Sequence, residues 1–238
     1  MIWALHGAVS SASDWKNFAI SMRADGEEIR RIDLWRFLDC CAMSLEDCGR
    51  ALSEEIARID PEPVIVGYSM GGRLVLHALL AKPDLWKAAV IVSAHPGLNS
   101  ETEQAERRAK DTEWSALALK AEWSDFLDQW QQQGVLEGVA MPDRTELKSR
   151  RASIARSFVD WSLGIQKDLT KELASVTCPV LWLTGERDAK FTRLAESAII
   201  QLGSGKHVTI PECGHRIPWE KPEVFLKECR VFLNQLEI

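Results

Sequence analysis

A serine flanked by glycines constrains the fold of this chain more than any other feature. The β-branched residues 64–66 run directly into the Gly-x-Ser-x-Gly pattern of residues 67–71, and leucines then recur at helical spacing over residues 74–80. A strand, a sharp turn and a helix in this order place the serine at the apex of a strained turn, the nucleophile elbow. Glycines allow the strand and the helix to approach closely, and free N–H groups at the helix start face the serine. The pattern predicts that Ser69 is a reactive residue.

Strand-like runs alternate with helical patterns along most of the chain. The runs are residues 2–5, 29–34, 64–66, 88–93, 179–184 and 207–210. Apolar runs that alternate with helices indicate a parallel sheet covered on both faces. A chain of 238 residues can bury one large core, and neither a repeat nor a linker divides it. We therefore predict an α/β fold with a mostly parallel sheet, as a single domain over residues 1–238.

Charge and composition exclude several classes of function. A net charge of −6 without a long basic run gives no basis for nucleic acid binding. Because no apolar stretch is long enough to cross a bilayer and the chain opens in a strand-like run, we expect neither a membrane span nor a signal peptide. The six cysteines match no zinc pattern, which favours reduced thiols. We expect a cytoplasmic protein, plausibly monomeric, that acts on a small molecule without a metal or cofactor.

Two further residues complete a catalytic pattern with Ser69. Asp188 follows the strand-like run 179–184, and His215 follows the run 207–210. A serine hydroxyl becomes an effective base or nucleophile when an imidazole takes its proton and an acid orients that imidazole. The order Ser, Asp, His along the chain is that of the α/β-hydrolases, which this sequence resembles. The pattern predicts that these three residues form a catalytic triad at one edge of the sheet.

The first strand also resembles a part of the α/β-hydrolases, the strand that carries the oxyanion hole. Its apolar residues 2–5 end at His6-Gly7. The resemblance implies that the backbone N–H groups of Ala8 and Met70 hold the developing oxyanion, an arrangement that lowers the barrier by several kcal/mol in such enzymes. We expect the His6 side chain to brace the loop rather than to take part in the chemistry.

Two segments depart from the regular alternation. Residues 99–175 show only helical periodicity, with many charges and several tryptophans. We expect a helical lid inserted over the carboxyl ends of the strands, although ordinary packing helices would give the same pattern. Residues 35–39 read Trp-Arg-Phe-Leu-Asp, where related hydrolases usually have a Pro-Gly-x-Gly turn. The sequence gives no physical account of this second departure.

Further motifs narrow the resemblance to the 2-succinyl-6-hydroxy-2,4-cyclohexadiene-1-carboxylate synthases of menaquinone biosynthesis, lyases with a hydrolase fold. The similar stretches are residues 67–73, His95-Pro96-Gly97-Leu98, residues 105–107 and residues 185–191. The resemblance places the family's substrate-binding positions at Tyr68, Arg73, Arg107, Trp130 and Arg151. Arginine suits this role because its planar guanidinium binds carboxylates through two parallel hydrogen bonds. Without the resemblance, each lid arginine would be interpreted as a solvated surface residue.

The resemblance implies a lyase that eliminates pyruvate from a polycarboxylate cyclohexene intermediate of menaquinone biosynthesis. Ser69, activated by His215, would abstract a proton next to a carbonyl group, and the resulting enolate would expel pyruvate. The same triad would serve a small-molecule carboxylesterase or thioesterase, because sequence does not separate a serine base from a serine nucleophile. A binding protein without turnover is a third alternative, but such a protein would have no need for Asp188.

Overall fold

One parallel sheet forms the centre of the molecule, for which the computed structural model describes residues 1–136, 139–140 and 142–236. The strands are β1 (Ile2–Leu5), β2 (Ile29–Ile32), β3 (Val64–Tyr68), β4 (Ala88–Val92), β5 (Val180–Gly185) and β6 (Gly205–Ile210). They lie in the order β2-β1-β3-β4-β5-β6, and each neighbouring pair is parallel. The predicted α/β fold is confirmed. Positions 137, 138, 141, 237 and 238 of the predicted domain lie outside the described residues.

Helices cover both faces of this sheet. They are α1 (Lys16–Ala24), α2 (Leu45–Ala57), α3 (Met70–Ala81), α4 (Glu101–Lys120), α5 (Trp123–Gln131), α6 (Arg151–Asp160), α7 (Ala189–Ile199), α8 (Ile217–Glu220) and α9 (Pro222–Asn234). Side chains alternate between the faces of a strand, and Ile65 of β3 enters one hydrophobic core while Val64 and Val66 enter the other. In the described part of the chain, no helix combines the length and the apolar character needed to cross a membrane.

The segment 99–175 contributes helices rather than strands wherever the structure describes it. Besides α4, α5 and α6 it contains 3-10 helices at Gly134–Leu136, Thr145–Arg150 and Glu172–Ser175. Arg144 forms a buried two-pronged ion pair with Asp14, in the 3-10 helix Ala12–Trp15 that follows β1. Arg150 donates to Asp33 at 2.8 Å and to Asp39 at 2.6 Å, just after β2. The segment is thereby tied to the ends of two strands.

The residues that replace the usual turn after β2 form a docking point for α6. Leu34–Leu38 is a 3-10 helix, and Asp33 accepts a hydrogen bond from the N–H of Trp35 at its start. The buried indole of Trp35 donates to the carbonyl of Ser10 at 2.8 Å. The carbonyl of Leu38 accepts from Arg156 of α6 at 2.7 Å. This segment therefore connects the loop after β1 with the helical segment, which gives the sequence departure a structural role.

Candidate active site

Ser69 lies at the turn between β3 and α3, in the strained backbone conformation of a nucleophile elbow. Its φ of 53° falls in the left-handed region, which is costly for a residue with a side chain. The flanking glycines are required by close packing. A Cβ on Gly67 would lie 2.4 Å from the carbonyl oxygen of Gly71, and a Cβ on Gly71 would lie 2.5 Å from that of Leu5. The turn therefore presents Ser69 at the carboxyl edge of the sheet.

Asp188 and His215 follow β5 and β6 and meet Ser69 at this edge. The His215 Nε2 atom is 3.1 Å from Ser69 Oγ, and the Nδ1 atom is 2.6 Å from Asp188 Oδ2. Because the carboxylate accepts the proton on Nδ1, Nε2 is free to take the serine proton. The imidazole is buried, and the ring of Phe191 packs against it with 4.5 Å between centroids. The structure thus brings the three predicted residues together in hydrogen-bond order.

A cavity of about 290 Å³ opens above the serine. The residues that line it include eight of the ten predicted site residues, namely Ala8, Tyr68, Ser69, Met70, Arg73, Arg107, Trp130 and His215. The ring of Trp130 packs against Trp114 and Phe158, with centroids 5.1 and 5.3 Å away, and so forms an aromatic wall of the helical segment. The ring of Tyr68 lies beside His215, with 5.5 Å between centroids.

The two residues whose backbone N–H groups are predicted to form an oxyanion hole both line the cavity with Ser69. Met70 is the first residue of α3, so its N–H has no partner within the helix. Ala8 lies in the loop after β1, and its N–H forms no hydrogen bond to another described residue. His6 braces this loop as expected, because its Nε2 atom accepts a hydrogen bond from Leu34 N–H at 3.1 Å. Burial lowers the pKa of His6 to about 4, which keeps this contact neutral.

Arg73 carries a buried charge without a carboxylate partner among the described residues. Its Nε donates to the neutral amide oxygen of Gln166 at 2.6 Å, while its Nη2 is buried and forms no hydrogen bond within the described part of the chain. Burial and the neighbouring Arg107 lower the pKa of Arg73 to about 9, so the guanidinium remains charged at neutral pH. A buried cation of this kind is costly unless an anion joins it.

Arg107 and two lysines add to the positive charge of the cavity. Arg107 is 40% exposed and pairs with the buried carboxylate of Asp111 at 2.9 Å. Lys110 and Lys190 also line the cavity. Neither lysine forms an ion pair with a described residue, so these two lysines, Arg107 and Arg73 together favour an anionic ligand.

The structure does not place Arg151 among the residues that line this cavity. Its Nε and Nη2 atoms donate to the carbonyl of Ala118 at 2.8 and 2.6 Å, and Nη2 also donates to the carbonyl of Ala121 at 2.8 Å. These carbonyls lie at the C-terminal end of α4, where backbone acceptors lack partners within the helix. Arg151 therefore caps α4 and joins it to α6.

Other cavity residues were not predicted from the sequence. Ser93 and His95 follow β4, and Lys190 follows Asp188. Ser93 has a left-handed φ of 48°, and its buried Oγ has no hydrogen-bond partner among the described residues. His95 and Lys190 fall within motifs that carried the family resemblance, yet nothing in the motifs assigned them a role. Tyr68 pairs with Val92 in the sheet, so the residues that follow them, Ser69 and Ser93, reach the same edge. This adjacency is visible only once the order of the strands is known.

The parallel sheet presents a serine at an elbow, and an acid and a histidine follow two later strands. This arrangement defines a protein of the Ser-His-Asp hydrolase type. A model of the alpha/beta hydrolase family matches residues 4–228, and the chain belongs to this family. Within the described residues, no cluster of three His, Cys, Asp or Glu side chains could hold a metal ion.

Two proteins of known name and one solved structure are similar to this chain over much of its length. A 2-succinyl-6-hydroxy-2,4-cyclohexadiene-1-carboxylate synthase from Serratia proteamaculans is 29% identical over 98% of this chain and 92% of its own length. A protein of the same name from Escherichia coli O1:K1 is 33% identical, and the match spans 66% of this chain and 63% of that protein. The solved structure of MenH from S. aureus superposes with a TM-score of 0.88 over all of this chain and 94% of its own, at 22% identity.

Proposed function

We propose that this protein is a lyase that eliminates pyruvate from a polycarboxylate cyclohexene intermediate of menaquinone biosynthesis. The observation that carries the proposal is the buried guanidinium of Arg73, which lines the same cavity as Ser69 and has no carboxylate partner among the described residues. A neutral acyl substrate would leave this charge uncompensated, whereas a carboxylate would offset its desolvation. The names of the similar synthases agree with such a substrate.

The triad supplies the proton transfers of this elimination. Ser69, with its proton passed to His215, removes a proton from the carbon next to a carbonyl group, and the electrons of that C–H bond form an enolate. The N–H groups of Ala8 and Met70 hold the enolate oxygen. As the enolate collapses, a ring double bond forms and the C–O bond to the leaving group breaks. The leaving enolate takes a proton from the His215 imidazolium and departs as pyruvate.

The helical segment 99–175 acts as a lid in this proposal. Arg107, Lys110 and Trp130 bring its charges and one aromatic wall to the cavity, and the ion pair between Arg144 and Asp14 holds it beside the loop of the oxyanion hole. A lid that excludes water protects an enolate from stray protonation. The six free cysteines fit a reducing compartment, and we assign the reaction to the cytoplasm.

A carboxylesterase or thioesterase is the second candidate, because the distances in the triad suit acyl transfer equally well. In that reaction Ser69 would attack the carbonyl carbon and form an acyl-enzyme. The two candidates differ in what Arg73 and Arg107 contribute, since an esterase acting on neutral acyl groups gains little from them.

Pyruvate release from the menaquinone intermediate, measured beside hydrolysis of p-nitrophenyl esters, separates the two candidates. We expect the wild type to release pyruvate and to hydrolyse the esters poorly, while Ser69→Ala abolishes release and keeps the fold. Ser204→Ala, an exposed serine before β6, is the matched control and should retain full release. Efficient ester hydrolysis without any release of pyruvate would establish the esterase instead.

A further inference from the structure

His95 presents a neutral hydrogen-bond donor among the cations of the cavity. Its Nδ1 atom accepts a hydrogen bond from the N–H of Gly97 at 3.1 Å, so the proton of the neutral imidazole lies on Nε2. Nε2 itself forms no hydrogen bond to a described residue, and the ring lines the cavity. Burial and the nearby charges of Lys190 and Arg73 lower the pKa of His95 to about 3. The ring therefore stays an N–H donor throughout the physiological range.

Gln166 connects His95 to Arg73. Its Oε1 atom accepts from Arg73 Nε at 2.6 Å, and its Nε2 atom donates to the carbonyl of Pro96 at 2.9 Å and approaches that of His95 at 3.4 Å. All three side chains are buried, with exposed fractions of 4% to 7%. The amide thus fixes the guanidinium relative to the loop that carries the imidazole.

Gln166 can hold Arg73 without neutralising it, because its side chain carries no charge. A carboxylate at this site would also accept from Arg73 Nε, but it would cancel the positive charge on which an anionic ligand depends. The amide holds the arginine and leaves its charge available. The same amide has a donor side for the backbone, which a carboxylate lacks.

We propose that His95 and Arg73 form one carboxylate subsite of the cavity, in which His95 donates through Nε2–H and Gln166 is the positioning residue for Arg73. The inference rests on the proposed function for the identity of the ligand, one carboxylate of the polyanionic substrate. A neutral donor beside a charged one suits this task, because it adds a directional hydrogen bond without further charge repulsion inside the cavity.

Binding of succinate, followed by the fluorescence of the cavity tryptophans Trp130 and Trp161, tests the subsite without turnover. Succinamide is the neutral counterpart and should not bind. We expect Gln166→Glu to raise the Kd for succinate at least about tenfold, because it neutralises Arg73. Gln201→Glu, which adds the same charge at an exposed turn, should bind as the wild type does. Urea unfolding checks that each variant is folded.

The two substitutions of His95 isolate the hydrogen bond itself. We expect His95→Leu to raise the Kd about fivefold to tenfold, and His95→Gln, which retains a donor, to restore it to within about threefold. In turnover with the proposed substrate, His95→Leu and Gln166→Glu should raise KM far more than they lower kcat.

Two results would overturn the subsite. One is a Kd of Gln166→Glu equal to that of the wild type, and the other is an equal loss in His95→Leu and His95→Gln. The proposed lyase function is tested independently of this subsite. If the wild type releases no pyruvate but the succinate series behaves as described, the lyase assignment fails and the carboxylate subsite stands.

Discussion

Replacing Arg73 with methionine should stabilise the protein while lowering its catalytic efficiency. The pKa of this buried guanidinium falls from an ordinary 12.5 to about 9, which corresponds to roughly 5 kcal/mol of disfavoured charge. The penalty is fully present below pH 9, since the group is then charged in both the folded and the unfolded state. Methionine has a similar length without the charge, so Arg73→Met removes the penalty.

The gain is smaller than the penalty because one good contact is lost. Removing Arg73 leaves Oε1 of Gln166 without its 2.6 Å donor, at a cost of about 1.5–3 kcal/mol. We therefore expect a net rise of about 2–3.5 kcal/mol in the free energy of unfolding, consistent with the range seen when buried charges are replaced by apolar residues. For a chain of this size each kcal/mol raises Tm by about 2–4 °C.

Urea unfolding and pyruvate release from the same preparations test this prediction. The kcat/KM of Arg73→Met should fall about tenfold to 150-fold, as a charged contact to the substrate is lost. Arg107→Met is the contrasting variant, because it strips the buried carboxylate of Asp111 of its ion pair and should lower stability. If Arg73→Met unfolds at lower urea than the wild type with an unchanged m-value, the reasoning from the uncompensated charge is refuted.

Three further predictions follow from single contacts. Asp188→Asn should lower kcat by about four powers of ten with little change in the fold, because the amide favours the wrong imidazole tautomer; a loss below tenfold in a steady-state assay would contradict this. Gly97→Ala should destabilise the fold by several kcal/mol in urea unfolding, since its φ is 136° and a Cβ would lie 2.1 Å from the carbonyl oxygen of Lys167; wild-type stability would disprove it. The pKa of His6 is lowered from 6.5 in the unfolded chain to about 4 in the fold. Between these two pH values the unfolded state binds more protons than the folded state. Up to roughly 3 kcal/mol of stability should therefore be lost as the pH falls from 6.5 to about 4. Unfolding at pH 7 and 4.5 measures this loss, and His6→Gln should show a smaller one.

The elbow and the triad could be predicted from the sequence because their signals are local. Gly67 and Gly71 flank the serine within one turn, and Asp188 and His215 each follow a recognisable strand. The direction in which a helical side chain points depends on more than the residues next to it in the sequence. Arg151 begins α6 directly after the 3-10 helix Thr145–Arg150, whose tighter winding shifts the phase of the helix that follows. Periodicity alone therefore could not show that its guanidinium faces α4.

The residues after β4 escaped prediction for a different reason. Ser93 and His95 reach the cavity because β4 lies next to β3, which is a matter of strand order rather than of sequence pattern. Gln166 lies in a connection without regular structure, and its partner Arg73 is 93 positions away. Pairs of this kind form only in the folded chain, and no spacing rule indicates them.

The catalytic hydrogen bonds join residues that are far apart in the sequence, which has a consequence during synthesis on the ribosome. Ser69 and His215 are 146 positions apart, and β4 must wait for β5, about 90 residues later, before its outer edge is paired. A nascent chain that has released β1 to β4 already contains the elbow but neither the acid nor the base. Its serine is an ordinary, unreactive alcohol at that stage. The triad is complete only after β6 and His215 have been synthesised, so a shorter nascent chain lacks the base that activates Ser69.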